Sequence, residues 1–257
     1  MNLNIRVQLP SPTTILCGYR ILRPLGDTTY LAVGDDNRQV VIKKLDTDCL
    51  LGNKLHPSIA ERLNRVRELA HGSVANLYAV ARDAGDAYLI WQYLPGRTWD
   101  EFIVSPPSAR HRLLAARELI LNVDLLHMQG IVHGSLVGSN VILGEDNVWR
   151  LTHISPLLYN DPAVDVESVR QLLTDAAGDD NPALSRLLSD AVAIRTLSLR
   201  TLAAKVAAML ESNGDAATDV EESPRGNLRL RTIAVALGVT FVALALAYAM
   251  WRAFATP

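Results

Sequence analysis

Cysteine, lysine and metal-ligating clusters are scarce in this chain, and each shortage removes a class of function. The 257 residues hold two cysteines, Cys17 and Cys49, far apart and without metal-ligand spacing. Two reduced thiols are expected, not a disulfide framework. Six histidines (His56, His71, His111, His127, His133, His153) form no HExxH or Cys/His ligand set. No GxSxG elbow occurs, and His133 with Ser135 makes no hydrolase dyad, because alternate residues of an extended segment point apart. A net charge of −2 provides no basic surface for nucleic acid. The N-terminus, MNLNIRVQLP, lacks the long apolar core of a signal peptide. Only four of the 25 basic residues are lysine (Lys43, Lys44, Lys54, Lys205), an arginine bias associated with GC-rich bacteria. There is no internal repeat.

What the chain does have is one long uncharged run. Thr232 to Trp251 is twenty residues without a charge, and at about 1.5 Å per residue a helix of that length matches a hydrocarbon core. Backbone groups in lipid must bond internally, so a single transmembrane helix over 230–252 is expected. Arg225, Arg229 and Arg231 precede the run and only Arg252 follows it. The positive-inside rule therefore puts the N-terminal part in the cytoplasm, with 253–257 as a short tail outside and the bacterial inner membrane as the location. Tyr248 and Trp251 suit the far interface. The spacings Ala234/Gly238 and Ala243/Ala247 would permit a homodimer through this helix. Upstream, Glu211 to Pro224 carries five acidic residues and few bulky apolar ones, which reads as a solvated tether.

The rest alternates short strands with helices. Strands are expected at Tyr19–Leu25, Tyr30–Val33 and Val40–Leu45, with a turn at Gly34–Asn37. A helix opens at Pro57, with Ser58 and Glu61 at capping-box spacing and Ile59, Leu63, Val66 and Ala70 on one face. Strand-like runs return at Val74–Val80 and Ala87–Leu94. A long helix at Ala109–Met128 ends at Gly130. Short apolar pieces follow at Ile131-Val132, Val141–Leu143 and Trp149–Leu151, then helical stretches at Val164–Leu173 and Ala183–Leu210. A sheet-rich front and a helical back make an α+β fold of two lobes.

Five collinear segments resemble eukaryotic-type Ser/Thr protein kinases. VVIK at 40–43 resembles the strand bearing the kinase lysine, here Lys43, and HGSVANLYAV at 71–80 resembles the segment after the N-lobe helix. AYLIWQYLPGRTW at 87–99 resembles the gatekeeper, here Trp91, and the hinge with its YxxG turn. LLHMQGIVHGSLVGSNVIL at 125–143 resembles the catalytic loop, with His133, Leu136 and Asn140 in register. DVESVRQLL at 165–173 is similar to the helix whose aspartate braces that loop, here Asp165. The resemblance implies a kinase-like N-lobe over 17–94 after an extension at 1–16. A C-lobe over 95–211 follows, then an acidic linker with a basic flank at 212–229.

The departures fall on the chemistry. Phosphoryl transfer asks for a phosphate cradle, a lysine held by a glutamate, oxygen ligands for magnesium, and a base. The cradle is reduced to Gly26-Asp27-Thr28-Thr29-Tyr30, a short hairpin turn. The position of the glutamate, nine before His71, is Arg62, an inward position where a cation would repel Lys43; a register shift would offer Glu61 instead. The base position is Ser135, flanked by Gly134 and Gly138 in place of the family's basic residues. The metal-binding aspartate is His153, a poor ligand for hard magnesium. Asn140 stands either as a metal ligand or as a loop amide bonding local backbone. Nine residues between Ser155 and Asp165 leave little activation segment. Trp91 would fill the back of an adenine pocket or serve as a plain core indole.

The resemblance thus implies a catalytically inactive pseudokinase on a single-pass membrane helix, with no catalytic residue, metal or cofactor. It would act as a scaffold or protein-interaction module in a membrane complex, with protein partners and no nucleic acid. His133 and Asp165 would be structural. The alternative is an atypical ATP-binding kinase or nucleotide sensor that holds ATP and magnesium through Lys43 and Asn140, with Trp91 behind.

Overall fold

The computed structural model describes residues 14–215, apart from 53, 70–71, 105–107, 160, 178–180 and 190–196. The chain divides into two compact units, Met1–Asn213 and Gly214–Pro257. The first contains a β-sheet lobe and a helical lobe.

The sheet lobe is a six-stranded antiparallel sheet. Its strands are β1 (Ile15–Leu16), β2 (Tyr19–Gly26), β3 (Thr29–Val33), β4 (Gln39–Lys44), β7 (Leu77–Asp83) and β8 (Asp86–Gln92), in the order β1-β2-β3-β4-β8-β7. Alternation along β4 buries both of its faces. Val41 joins the main core with Leu89 and Trp91, while Val40 and Ile42 join Ile21, Ala32, Tyr88 and Ile90 on the other face. Strands β2 and β3 meet at a two-residue turn, Asp27-Thr28, with Gly26 opposite Thr29. Thr28 O accepts from Lys44 N at 2.9 Å, so the turn is sewn to β4.

After β4, a 3₁₀ turn (Thr47–Cys49) and a small hairpin of β5 (Leu50–Leu51) and β6 (Lys54–Leu55) lead into α1 (Pro57–Arg67). This helix is not closed by the expected capping box. His56 is the N-cap, its Nδ1 accepting from Ser58 N at 3.4 Å, and Glu61 is exposed. Pro57 fills the first turn, where a missing N–H costs nothing.

The helical lobe contains α2 (Trp99–Val104), α3 (Ala109–Met128), α4 (Ala163–Ala177), α5 (Pro182–Ser189) and α6 (Leu199–Asp215). A three-stranded sheet, β9 (Gly96–Thr98), β10 (Val141–Gly144) and β11 (Trp149–Leu151), lies in the order β11-β10-β9. Trp99, Phe102 and Trp149 cluster at 5.0–5.9 Å between ring centroids, and Trp99 Nε1 donates to Leu172 O at 3.2 Å. Gly96 is obligatory: at φ +152°, a Cβ there would lie 2.1 Å from Leu143 O across the β9–β10 pair.

Several expected boundaries move. The strand expected over 74–80 starts at Leu77, and Val74 makes only an isolated bridge to Leu151. Ile15 and Leu16, assigned to the N-terminal extension, pair with β2. The acidic stretch from Glu211 does not begin as a tether, because α6 continues to Asp215. The remainder of that stretch and the apolar run at 232–251 lie outside the described residues. Among the described residues no helix is long and apolar enough to cross a membrane.

Candidate functional site

The catalytic-loop segment is held from below by Asp165 in the first turn of α4. Its buried carboxylate accepts from His133 N at 2.6 Å and Gly134 N at 2.8 Å, and bonds His127 Nε2 at 2.9 Å. Burial alone would raise the pKa of this acid, but hydrogen bonds from His127, Gly134 and His133 outweigh it and hold the carboxyl below its usual range. His133 is fully buried. Its Nε2 donates to Thr152 O at 3.0 Å and its Nδ1 accepts from Ser135 N at 3.3 Å, so the ring is neutral and spent on backbone. Desolvation pushes its pKa down to about 4, against the opposing charge of Asp165.

Among the described residues no carboxylate bonds the Ser135 hydroxyl, which meets only Asn140 Nδ2 at 3.5 Å. Asn140 is 7% exposed and fully used: Nδ2 donates to Ser135 O at 2.7 Å, and Oδ1 meets His153 Nδ1 at 3.1 Å. For that contact to be a hydrogen bond, Nδ1 of His153 carries the proton. Burial, with the nearby charges of Lys43 and His133, pushes His153 down to about 3, so at neutral pH it is an uncharged Nδ1–H tautomer. His153 sits at φ +57°, a left-handed conformation uncommon for residues other than glycine. The two side chains that a metal would need are thus bonded to each other. Among the described residues no group of three or more His, Cys, Asp or Glu could hold a metal ion.

Arg62 faces inward from α1 but does not oppose Lys43. Its Nε donates to Ser155 O at 2.8 Å and its Nη2 to Val132 O. It is a strut from α1 to the residues just before His133 and just after His153. Desolvation lowers its pKa while Asp165 raises it, and the guanidinium remains charged. The expected repulsion is not found: the fork is bonded to carbonyls, and Lys43 is not among the charges that shift Arg62. Glu61, exposed, makes no ion pair with Lys43. Among the described residues no carboxylate pairs with Lys43, whose pKa burial lowers.

The shortened segment after Ser155 closes over the loop. Gly134 has φ +69°, and a Cβ there would lie 2.2 Å from the Tyr159 ring. Tyr159 thus occupies the space that a side chain at 134 would need.

Two cavities flank Lys43. A front cleft of about 570 Å³ is lined by Arg23, Leu25, Val41, Ile142, Asn140 and His153 among others. A rear cavity of about 470 Å³ is lined by Leu45, Cys49, Leu89, Trp91, Ile154 and Leu157 among others. Trp91 belongs to the rear cavity and not to the front cleft. It is fully buried, with its ring edge-on to His153 at 6.0 Å. Sequence reasoning assigned no role to the Arg62 carbonyl contacts or to Tyr159. The only prior signal was an inward helix position occupied by arginine.

This arrangement of a curled sheet, an inward lysine, a buttressed loop and a hinge is that of the protein kinases. A family model described as protein tyrosine and serine/threonine kinase matches residues 26–157, just over half the chain. The chain belongs to that family. It is 26% identical over 129 residues to the maternal embryonic leucine zipper kinase of Xenopus tropicalis, covering 48% of this chain and 18% of that protein. It is 27% identical over 134 residues to CBL-interacting protein kinase 33 of Oryza sativa subsp. japonica, covering 49% of this chain and 29% of the relative. A probable serine/threonine-protein kinase of Clostridium acetobutylicum is 20% identical over 118 residues, covering 45% and 18%. The chain thus spans less than a third of the length of these three relatives.

Proposed function

We propose that this chain is a pseudokinase: a kinase-like domain that transfers no phosphate, is tethered to a bacterial inner membrane through 230–252, and serves as a scaffold for protein partners. The observation that carries the first part is the His153–Asn140 hydrogen bond, which ties together the two positions that hold magnesium in the family. Ser135 supports the same reading, since loss of a positioned base costs about 10²–10⁴ in rate. Residues that shape the fold (Asp165, His133, Gly96) are kept while the chemical ones have changed, as expected where fold and activity have separated. The membrane tether rests on the uncharged run and its arginine flank, and the scaffold role follows from what is left once chemistry is removed.

A second reading rests on the front cleft, where Lys43 and Arg23 have no carboxylate partner among the described residues and could hold a nucleotide. Melting the full-length chain with and without ATP and magnesium separates the two. Ligand at a hundred times its dissociation constant adds about 2.7 kcal/mol of stability. No shift is expected. A magnesium-dependent shift, accompanied by labelled phosphate on any protein, would end the pseudokinase proposal, whereas a shift without phosphate transfer would mean a sensor. Carbonate extraction of membranes tests the tether: release of the chain into the soluble fraction would refute it.

A further inference from the structure

The chain passes between the six-stranded sheet and the rest of the domain at three points: after β4, before β7 and after β8. The apolar face of α1, with Ile59, Leu63 and Val66, shares the main core with Leu77 and Leu89 of the sheet. Such contacts are non-directional. The directional bonds of α1 run the other way. Arg62 donates to Val132 O and Ser155 O, and Arg65 Nη2 donates to Gln129 O at 3.0 Å and Gly130 O at 3.1 Å. All of these carbonyls belong to the helical lobe. The stretch after α1 is bonded to the same lobe: Leu151 N donates to Ser73 O at 2.9 Å, Ala75 N to Leu151 O at 2.8 Å, and Arg150 Nε to Gly72 O at 2.9 Å. At the next residue the partners change. Asn76 N and Nδ2 donate to Gln92 Oε1 at 3.1 and 3.0 Å, and Asn76 O accepts from Gln92 N at 2.8 Å. This pair clamps the chain where it enters β7 to the chain where it leaves β8. The third connection runs through β5 and β6, a separate two-stranded sheet. Among the described residues no hydrogen bond or ion pair joins any of β1–β4 to α1 or to the helical lobe.

We propose that α1 is built into the helical lobe as a fixed wall, and that the six-stranded sheet rocks over it as a separate body about the Asn76–Gln92 pair. A charged donor bonded to a carbonyl fixes a distance and a direction, whereas apolar surfaces in contact tolerate small sliding shifts. Two arginines one helical turn apart, each bonded to two carbonyls, set both the position and the rotation of α1. No ion pair ties the helix to the sheet in return: position 62 carries no acid, and Lys43 of β4 meets no carboxylate among the described residues. Lys43 lines both cavities, and each is walled by the sheet on one side and by the segment around His153 on the other. An occupant of either cavity shifts the sheet and leaves α1 and the loop at His133 in place. The helix is therefore a surface that a protein partner meets in one position, whatever the state of the cleft. The inference stands whether or not phosphate is transferred.

The test is pulsed electron spin resonance on the full-length chain with pairs of nitroxide labels, in a Cys17→Ser background where the remaining thiol, Cys49, is fully buried. Labels go on exposed positions: Asn64→Cys on α1, Arg117→Cys on α3 and Asp35→Cys on the turn between β3 and β4. The α1-to-α3 distance should give one narrow distribution. The sheet-to-α3 and sheet-to-α1 distances should both be about twofold broader or more. Arg62→Ala combined with Arg65→Ala should free α1 and broaden the α1-to-α3 distribution to match that of the sheet. If the combined variant does not fold, Arg65→Ala alone should broaden it part of the way. A narrow sheet-to-α1 distance beside a broad α1-to-α3 distance would place α1 with the sheet. That outcome, three distributions of equal width, or an α1-to-α3 width unmoved by loss of the arginines would each overturn the proposal. No nucleotide is used, so these outcomes are independent of the melting test above.

Discussion

Replacing Arg62 with alanine is the most direct test of how this kinase fold holds together without its usual ion pair. The side chain is 7% exposed and carries two hydrogen bonds from a charged donor, to Ser155 O and Val132 O. Hydrogen bonds to charged groups are worth about 1.5–3 kcal/mol each. Water entering the vacated space would re-solvate part of both carbonyls, so the expected cost is about 3–4 kcal/mol. That is a large fraction of the roughly 5–15 kcal/mol that stabilises a typical protein. At about 2–4 °C per kcal/mol for a domain of this size, the melting temperature falls by roughly 10 °C. Urea unfolding should show the same loss with an unchanged m-value. Arg62→Lys keeps the charge but reaches one carbonyl, and should recover about half of the loss. Arg62→Glu restores the family's acid but turns a carboxylate towards two carbonyl oxygens, and should be worse than alanine. The strut is refuted if Arg62→Ala unfolds within about 0.5 kcal/mol of the parent. It is equally refuted if Arg62→Glu is more stable than Arg62→Ala, because Lys43 would then be taking the carboxylate as in an ordinary kinase.

Three other outcomes are expected. His133, depressed to about 4 in the fold from an unfolded value near 6.5, binds its proton more readily when unfolded. Its contribution is complete above about pH 6.5 and declines as pH falls towards 4, by about 2 kcal/mol at pH 5; urea midpoints measured across that range should drop, and a flat profile would contradict the neutral buried ring. His153→Asp removes the N–H that satisfies Asn140 Oδ1 and places two oxygens face to face. The variant should melt lower without ligand yet acquire a magnesium-dependent stabilisation by ATP, and a variant that ignores magnesium would show that the cleft is closed for another reason. Gly134→Ala meets the Tyr159 ring at 2.2 Å and a strained φ, and should cost about 1–3 kcal/mol. Adding Tyr159→Ala should recover the steric part, and purely additive losses in the double-mutant cycle would mean that the two residues are not in contact.

Local pattern carried much of the fold. The strands around residues 19–45 and the helix Ala109–Met128 follow from alternation, helical spacing and Gly130, all of which act over a few residues. The collinear motifs led to the kinase family. What local pattern missed are elements that exist only by pairing or packing: β1 beside β2, β9 beside β10, and α2 under the aromatic cluster. The cap of α1 was also misplaced, because His56 competes with Ser58 for the same end of the helix and its ring nitrogen is an unusual cap acceptor.

From its sequence alone, this protein was committed to the absence of carboxylates at positions 135 and 153, to an arginine at 62 and to a nearly vanished activation segment, because identity and spacing are properties of the chain. Only the tertiary structure decided what the replacements do. His153 bonds Asn140, Arg62 bridges α1 to the loop, and Tyr159 lies over Gly134, contacts between residues 13 to 93 positions apart. Such contacts depend on where a side chain ends after packing, and on which donors remain when every nearer acceptor is taken. Charge alone set Arg62 against Lys43; packing sent the guanidinium to two carbonyls and left the lysine between two cavities without a carboxylate among the described residues.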